Sequence, residues 1–387
     1  MKIIIFDGTF KTTTFINRLV SSLSDNHEVS IIGFNEEITN KLQNVSYVSL
    51  GSNHSDLSFL KTSIKLRGFN IKQQIKLFSL LLKGKKRIIK EENLQLVANK
   101  IQPEIIHFQW VSVLSYLKNL KLPKHTKTIL SQRGYHINVR PFINQDNKVF
   151  LNEVFSKLDG FHSVSNAIQK KSNEIYTSPL KIDRVVYSGF DEDLFRFKNT
   201  WNTNKKIQIL SIGRDHWVKD YRTSLLTMSI LKKNKISFHY TVVGINKSEE
   251  LLFLVNELNL SDKVTFIDKI PQEEVYEKML TSDIFLLPSV EEGIANVCIE
   301  AMLSKLPVLS TDCGGMSELI SDTETGFLVP TRSPESIANK IEIFSEMQTT
   351  EIIKMVNKAY DKAKLQHNNQ QMVDNMLSLY EKVYENN

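Results

Sequence analysis

From residue 207 to residue 329 the chain switches regularly between two periodicities. Short apolar runs at 207–212, 237–243, 263–267, 284–287, 307–310 and 327–329 have the length of strands buried on both sides. Between them, 221–233, 249–258 and 273–280 repeat apolar positions at the three- and four-residue spacing of helices. Strands alternating with helices predict a parallel sheet with helices on both faces. The first half reads the same way less evenly, with strands at 2–6, 28–34, 104–109 and 127–131 and helices at 13–23 and 92–101. Polar residues gather without periodicity at 190–204, which predicts a domain boundary there. With 387 residues the chain is long enough for two domains, expected at 1–190 and 191–368. In the tail, 369–387, Met372, Met376, Leu379 and Val383 share one helical face.

The stretch 288–302, P-S-V-E-E-G-I-A-N-V-C-I-E-A-M, holds the main candidate chemistry. An apolar strand stops at Pro288, the chain turns through Glu291, Glu292 and Gly293, and helical spacing resumes at Asn296. A helix N-terminus behind a glycine offers unpaired N–H groups to an anion, phosphate above all, here from Gly293, Ile294, Ala295 and Asn296. Glu292 lies in the loop and Glu300 two turns along the helix. Carboxylates beside an anion site repel phosphate, so these two are expected to accept hydrogen bonds from hydroxyls. A ligand with phosphates in its middle and hydroxylated rings at both ends fits, which describes a nucleotide sugar. The bland alternative is an ordinary strand–glycine–helix turn of an α/β protein.

Composition excludes several classes. At 41% hydrophobic and 24% charged residues the chain reads as an ordinary globular protein, and none of its apolar runs reaches the roughly 20 residues of a membrane span. A cytoplasmic setting is expected, without nucleic acid as a partner. The two cysteines, Cys298 and Cys313, allow neither a disulfide framework nor a cysteine-ligated zinc site and are read as reduced packing residues. The net charge of +6 is unevenly spread, because 61–90 holds ten Lys or Arg and no Asp or Glu. Within it Ile71, Ile75, Phe78 and Leu82 share one helical side, and Lys72, Lys76 and Lys83 line another. Such a segment fits either a helix on an anionic membrane surface or a solvated helix with its apolar side turned into the core.

Gly8 ends the first strand, where open α/β sheets bind ligands, but no G-x-G-x-x-G dinucleotide fingerprint accompanies it. Asp191, Glu192 and Asp193 sit at the interdomain turn and are read as structural, so no metal is expected.

The wording of 288–302 resembles the signature of retaining glycosyltransferase family 4, P-S-x-x-E-G-(six residues)-E-A followed by G-G-x-x-E-L-I, here 314–320. Gly213, Arg214 and Lys219 similarly resemble that family's G-R-x-x-x-x-K-G, with Asp220 in place of the final glycine. The segments 161–165 and 186–191 resemble its last N-domain strand and its crossing into the second domain. The resemblance implies an α/β architecture of two Rossmann-like domains facing a cleft, the GT-B fold, with the last helix returning to the first domain. It further implies a nucleotide-sugar donor as co-substrate and no cofactor. By resemblance Arg214 and Lys219 face the pyrophosphate, Glu292 contacts donor-sugar hydroxyls and Glu300 binds the ribose. Gly8 would face the donor phosphates or the acceptor. Where the family often has His-Gly-x-Asp this chain has Arg133 and His136, and Arg133 is expected to hold a substrate anion through a bidentate contact.

The function so implied is a metal-independent retaining glycosyltransferase. It would act on a saccharide or lipid-linked acceptor in polysaccharide, glycolipid or other glycoconjugate synthesis. An epimerase or phosphorylase of the same architecture, and a catalytically idle carbohydrate-binding or partner protein, are the rival readings.

Overall fold

The computed structural model describes residues 1–10, 13–34, 38, 41–117, 119–201 and 206–386. The far end of the expected boundary, 202–204, and the last residue of the tail lie outside them. The chain divides into two compact units. The first comprises Met1–Val164, Ile168–Gly189 and Asn369–Asn387, and the second Ser165–Ala167 and Phe190–Asn368.

The first unit is a seven-stranded sheet of β1 (Lys2–Gly8), β2 (Glu28–Gly33), β3 (Val45–Ser49), β4 (Ile105–Phe108), β5 (Lys127–Gln132), β6 (Gly160–Ser163) and β7 (Ile182–Val185). Its order is β3-β2-β1-β4-β5-β6-β7, parallel throughout. Alternate residues of β1 feed opposite layers. Ile4 and Phe6 join Phe108 and Leu130 on one face, and Ile3 and Ile5 join Ile105 and Ile129 on the other. That two-sided burial explains why β1 is a continuous apolar run. The C-terminal helix Asn369–Glu385 packs on the second of these faces through Met372, Met376, Leu379 and Val383.

The second unit is a six-stranded parallel sheet, β10-β9-β8-β11-β12-β13, built from β8 (Ile207–Ile212), β9 (Phe238–Val243), β10 (Val264–Ile267), β11 (Ile284–Leu287), β12 (Val308–Thr311) and β13 (Phe327–Val329). Here too Ile284 and Leu286 face one layer and Phe285 and Leu287 the other. Both sheets are therefore Rossmann-like. Each reverses its strand order once, at β1/β4 and at β8/β11, and ligands of open α/β sheets bind outside the carboxyl ends at such points.

The structure corrects the sequence reading at the edges of the first sheet. The segment 161–165 is not its last strand, since β7 follows and pairs with β6. β3 and β7 are edge strands with no fully buried residue, so they lack the apolar run that marks a central strand. The basic segment is three helices, Asp56–Arg67, Ile71–Leu82 and Lys86–Ile101, interrupted at Gly68 and Gly84, both with positive φ.

Candidate functional site

The sequence-derived residues of the second unit converge at the carboxyl ends of β8 and β11. Gly213 follows β8 directly, and its N–H donates to the Val243 carbonyl (2.9 Å). A Cβ at Gly213 would stand 2.8 Å from the Tyr221 hydroxyl oxygen and 3.2 Å from Lys219 Cε. The missing side chain thus lets the lysine stem cross the backbone. Val290 N–H donates to the Val218 carbonyl (2.8 Å), joining the loop after β8 to the loop after β11.

Lys219 Nζ donates to Glu292 Oε1 at 2.6 Å, and Ser289 Oγ donates to the same oxygen at 2.8 Å. The two charged side chains are 17% and 15% exposed, so the pair is largely shielded from water yet reachable. Sequence reasoning gave Lys219 to phosphate and Glu292 to sugar hydroxyls as separate contacts. The fold makes them one ion pair, with each charge holding the other in place. Arg214 is exposed and forms no ion pair among the described residues. His216 reflects these charges: partial burial, then Arg214 and Lys219, hold its imidazole below the ordinary value.

The loop after β12 closes over the same point. Gly315 N–H donates to the Gly293 carbonyl (2.8 Å), and Cβ atoms at Gly314 and Gly315 would fall 1.7 Å from the Glu292 carbonyl oxygen and 2.2 Å from that of Gly293. Thr311, at the end of β12, donates to the Ser289 carbonyl. Ser289, Thr311, Gly314 and Gly315 join the site although sequence reasoning did not single them out. Ser289, Gly314 and Gly315 were signalled by the P-S and G-G of the two motifs, whereas Thr311, at the end of a strand, carried no such signal.

Helix Asn296–Leu303 has Ala295 at its N-cap with no side-chain cap hydrogen bond. The N–H groups of Ile294, Asn296 and Val297 find no hydrogen-bond acceptor among the described residues, which leaves donors for an anion. Glu300 is 7% exposed on this helix, and the Cys298 thiol lies in the field of both Glu292 and Glu300. Burial first, then these carboxylates, push Cys298 well above the ordinary thiol range, and burial pushes Cys313 up to about 12. Both cysteines are free, buried and protonated at neutral pH.

Asp220, where the resembled motif has glycine, takes φ 47° and ψ 47°. It is the N-cap of helix Tyr221–Lys233, accepting from Thr223 N (3.3 Å) and Thr223 Oγ1 (2.6 Å). A short side chain that bonds locally can occupy this left-handed position, so the departure from glycine is accommodated. Asp220→Ala removes the cap while keeping the strain and is expected to cost about 1–3 kcal/mol in urea unfolding. Asp220→Gly is expected to cost less.

Gly8 and Arg133 lie in the first unit. Gly8, at φ 86°, ends β1 against Val113. Arg133, expected to hold a substrate anion through a bidentate contact, is engaged within its own unit. Its two terminal nitrogens donate to the Gln109 carbonyl and to Gln109 Oε1 (3.0 Å), and its guanidinium is clamped by the rings of Phe15 (4.5 Å) and Trp110 (5.2 Å). Nearby, Asp7 accepts from Trp110 Nε1 (2.6 Å), and burial raises its pKa. His107 is an interior residue, with Nδ1 on the Tyr380 hydroxyl (2.7 Å) and Nε2 on Ser131 Oγ (2.8 Å). Glu192, of the acidic turn, pairs with Lys364 (2.7 Å). Among the described residues no group of three His, Cys, Asp or Glu could hold a metal, and no helix is long and apolar enough to cross a membrane.

Residues 191–366 match the family model for glycosyl transferases group 1. The putative colanic acid biosynthesis glycosyltransferase WcaL of Escherichia coli (strain K12) is 31% identical over 206 residues, covering 51% of this chain and 50% of that protein. The amylovoran biosynthesis glycosyltransferase AmsK of Erwinia amylovora is 28% identical over 242 residues, covering 60% and 59%. The chain thus spans between half and three fifths of the length of these curated relatives. Sucrose-phosphate synthase from Thermosynechococcus elongatus superposes with a TM-score of 0.79 at 16% identity, covering 99% of both chains. Anabaena HepE, solved with UDP and glucose, superposes with a TM-score of 0.75 at 16% identity, covering 99% of this chain and all of that one. The two Rossmann-like units thus have the fold of these solved structures, and the second unit is similar to the glycosyl transferases group 1 model over residues 191–366.

Proposed function

We propose that the protein is a retaining, metal-independent glycosyltransferase that moves a sugar from a nucleotide donor to an acceptor hydroxyl. The observation that carries this reading is the shielded Lys219–Glu292 pair beside Arg214 and the amides of Ile294, Asn296 and Val297, which have no acceptor among the described residues, at the strand-order switch of the second sheet. Arg214, Lys219 and the amides, from Gly293 to Asn296, take the pyrophosphate and stabilise it as it departs. Glu300 accepts from the ribose hydroxyls and Glu292 from those of the donor sugar. The bond from the anomeric carbon to the diphosphate breaks through an oxocarbenium-like state. The acceptor oxygen then bonds on the same face, its proton passing to the leaving phosphate. Two protein cations facing the diphosphate supply the charge that a metal would otherwise bring.

A solved neighbour, HepE, holds UDP-glucose, which makes a uridine diphosphate sugar the first donor to test. The names of WcaL and AmsK favour a growing polysaccharide as acceptor. We further propose work at the cytoplasmic face of a membrane, where a lipid-linked acceptor is presented.

Calorimetric titration with UDP and UDP-glucose, paired with acceptor-dependent release of UDP, tests the reading. Glu300→Gln is expected to weaken both ligands alike, by about tenfold, through loss of charge-assisted bonds to the ribose. Activity that survives chelation is expected. UDP release equally fast without an acceptor would favour the epimerase reading, and no binding of any nucleotide sugar would favour the idle one.

A further inference from the structure

Helix Ile71–Leu82 carries apolar residues on two sides. Leu77 is fully buried against Phe59 and Ile89, with Leu80 and Leu81 packed beside it. The row Ile71, Ile75, Phe78 and Leu82 points the other way and is 73%, 66%, 49% and 90% exposed, and Phe69 before the helix is wholly exposed. Spacings of four, three and four residues put the row on one line of the helix surface. The core reading of this row is therefore excluded, because the inward side is made by other leucines. A continuous apolar row of this size left in water marks an interaction surface.

The charges beside it narrow the occupant. Of the ten basic residues of 61–90, Arg67 and Lys76 pair with Glu92, Lys86 with Asp56 and Arg87 with Glu91, while Lys90 donates to Asn53 Oδ1. Lys61, Lys65, Lys72, Lys83 and Lys85 make no ion pair among the described residues. A second copy of the chain docked through this row would set Lys72, Lys83 and Lys85 against themselves. An anionic lipid surface takes up the apolar row and neutralises the lysines together.

We propose that helix Ile71–Leu82 docks on an anionic phospholipid bilayer, lying in its plane with Phe69, Ile71, Ile75, Phe78 and Leu82 inserted and Lys72, Lys83 and Lys85 at the headgroups. The helix is too short to span the bilayer, so the attachment is peripheral and reversible. It supplies the membrane part of the proposed function but does not depend on the donor site.

Flotation with phosphatidylglycerol-rich and with pure phosphatidylcholine vesicles tests it on the full chain. The wild type is expected to float with the anionic vesicles and to release at about 1 M salt, where the screening length falls to about 3 Å. Combined replacement Ile71→Ser, Ile75→Ser, Phe78→Ser and Leu82→Ser alters only solvent-facing positions, and a loss of about tenfold or more in partitioning is expected. Lys72→Gln, Lys83→Gln and Lys85→Gln together should weaken binding and flatten its salt dependence. The proposal is overturned if the wild type stays unbound, binds both vesicle types alike, or is unaffected by the serine variant. It is also overturned if the row proves to drive a concentration-dependent dimer in sedimentation that the serine variant abolishes. Nucleotide binding, measured in parallel by calorimetry, reports on the donor site separately.

Discussion

Lys219→Ala is expected to lower turnover at saturating donor by about tenfold to a hundredfold, equivalent to roughly 1.5–3 kcal/mol of charge-assisted contact to the leaving diphosphate. The pairing of Lys219 with Glu292 at 2.6 Å adds a second expectation. Removing the lysine leaves a carboxylate, 15% exposed, without its counter-charge. Glu292→Gln, conversely, frees Lys219 from its partner, so it should disturb binding of bare nucleoside diphosphate as well as of the sugar nucleotide. The double variant is expected to lose less than the sum of the singles, since partners in one ion pair are coupled. Steady-state kinetics over the four-protein cycle decide this. Wild-type turnover in Lys219→Ala would end the leaving-group role, and strict additivity would end the idea that the pair acts as a unit.

Gly314→Ala should be still more damaging. Its φ of 53° disfavours any side chain, and an added Cβ would lie 1.7 Å from the Glu292 carbonyl oxygen, a distance that only movement of one loop can relieve. The expected cost is about 1–3 kcal/mol for overpacking plus about 1–2 kcal/mol for the left-handed backbone. Because the displaced strut is the backbone of Glu292, activity should fall more than stability accounts for. A thermal melt and a donor-binding titration on one preparation separate the two effects. A variant that melts lower but binds donor normally would show that the loop after β12 only supports the fold.

Much of the second unit was legible because its signals are local. Each central strand of that unit is a short apolar run, and the central apolar strands alternate their side chains between two buried layers, a pattern that near neighbours alone produce. Helix Asn296–Leu303 and its approach loop were readable from Pro288, Gly293 and the apolar spacing after Asn296. The edges of the first sheet were not. β7, with Asp183 and Arg184 in a strand of four half-buried residues, gives no apolar run because one side of an edge strand faces no neighbour.

Sequence by itself determined the alternation of strands and helices, the strand–glycine–helix turn at 288–302, and which residue types gather on the loops after β8 and β11. Tertiary structure alone decided which of them meet. Lys219 and Glu292 are 73 residues apart in the chain and become partners only because β8 and β11 are neighbours in the sheet, an order that no local pattern encodes. It also decided that the guanidinium of Arg133 is held by Gln109, Phe15 and Trp110. In helix Ile71–Leu82 two apolar sides competed for the interior. Packing against Phe59 and Ile89 selected the side of Leu77, and the row from Ile71 to Leu82 was left facing water.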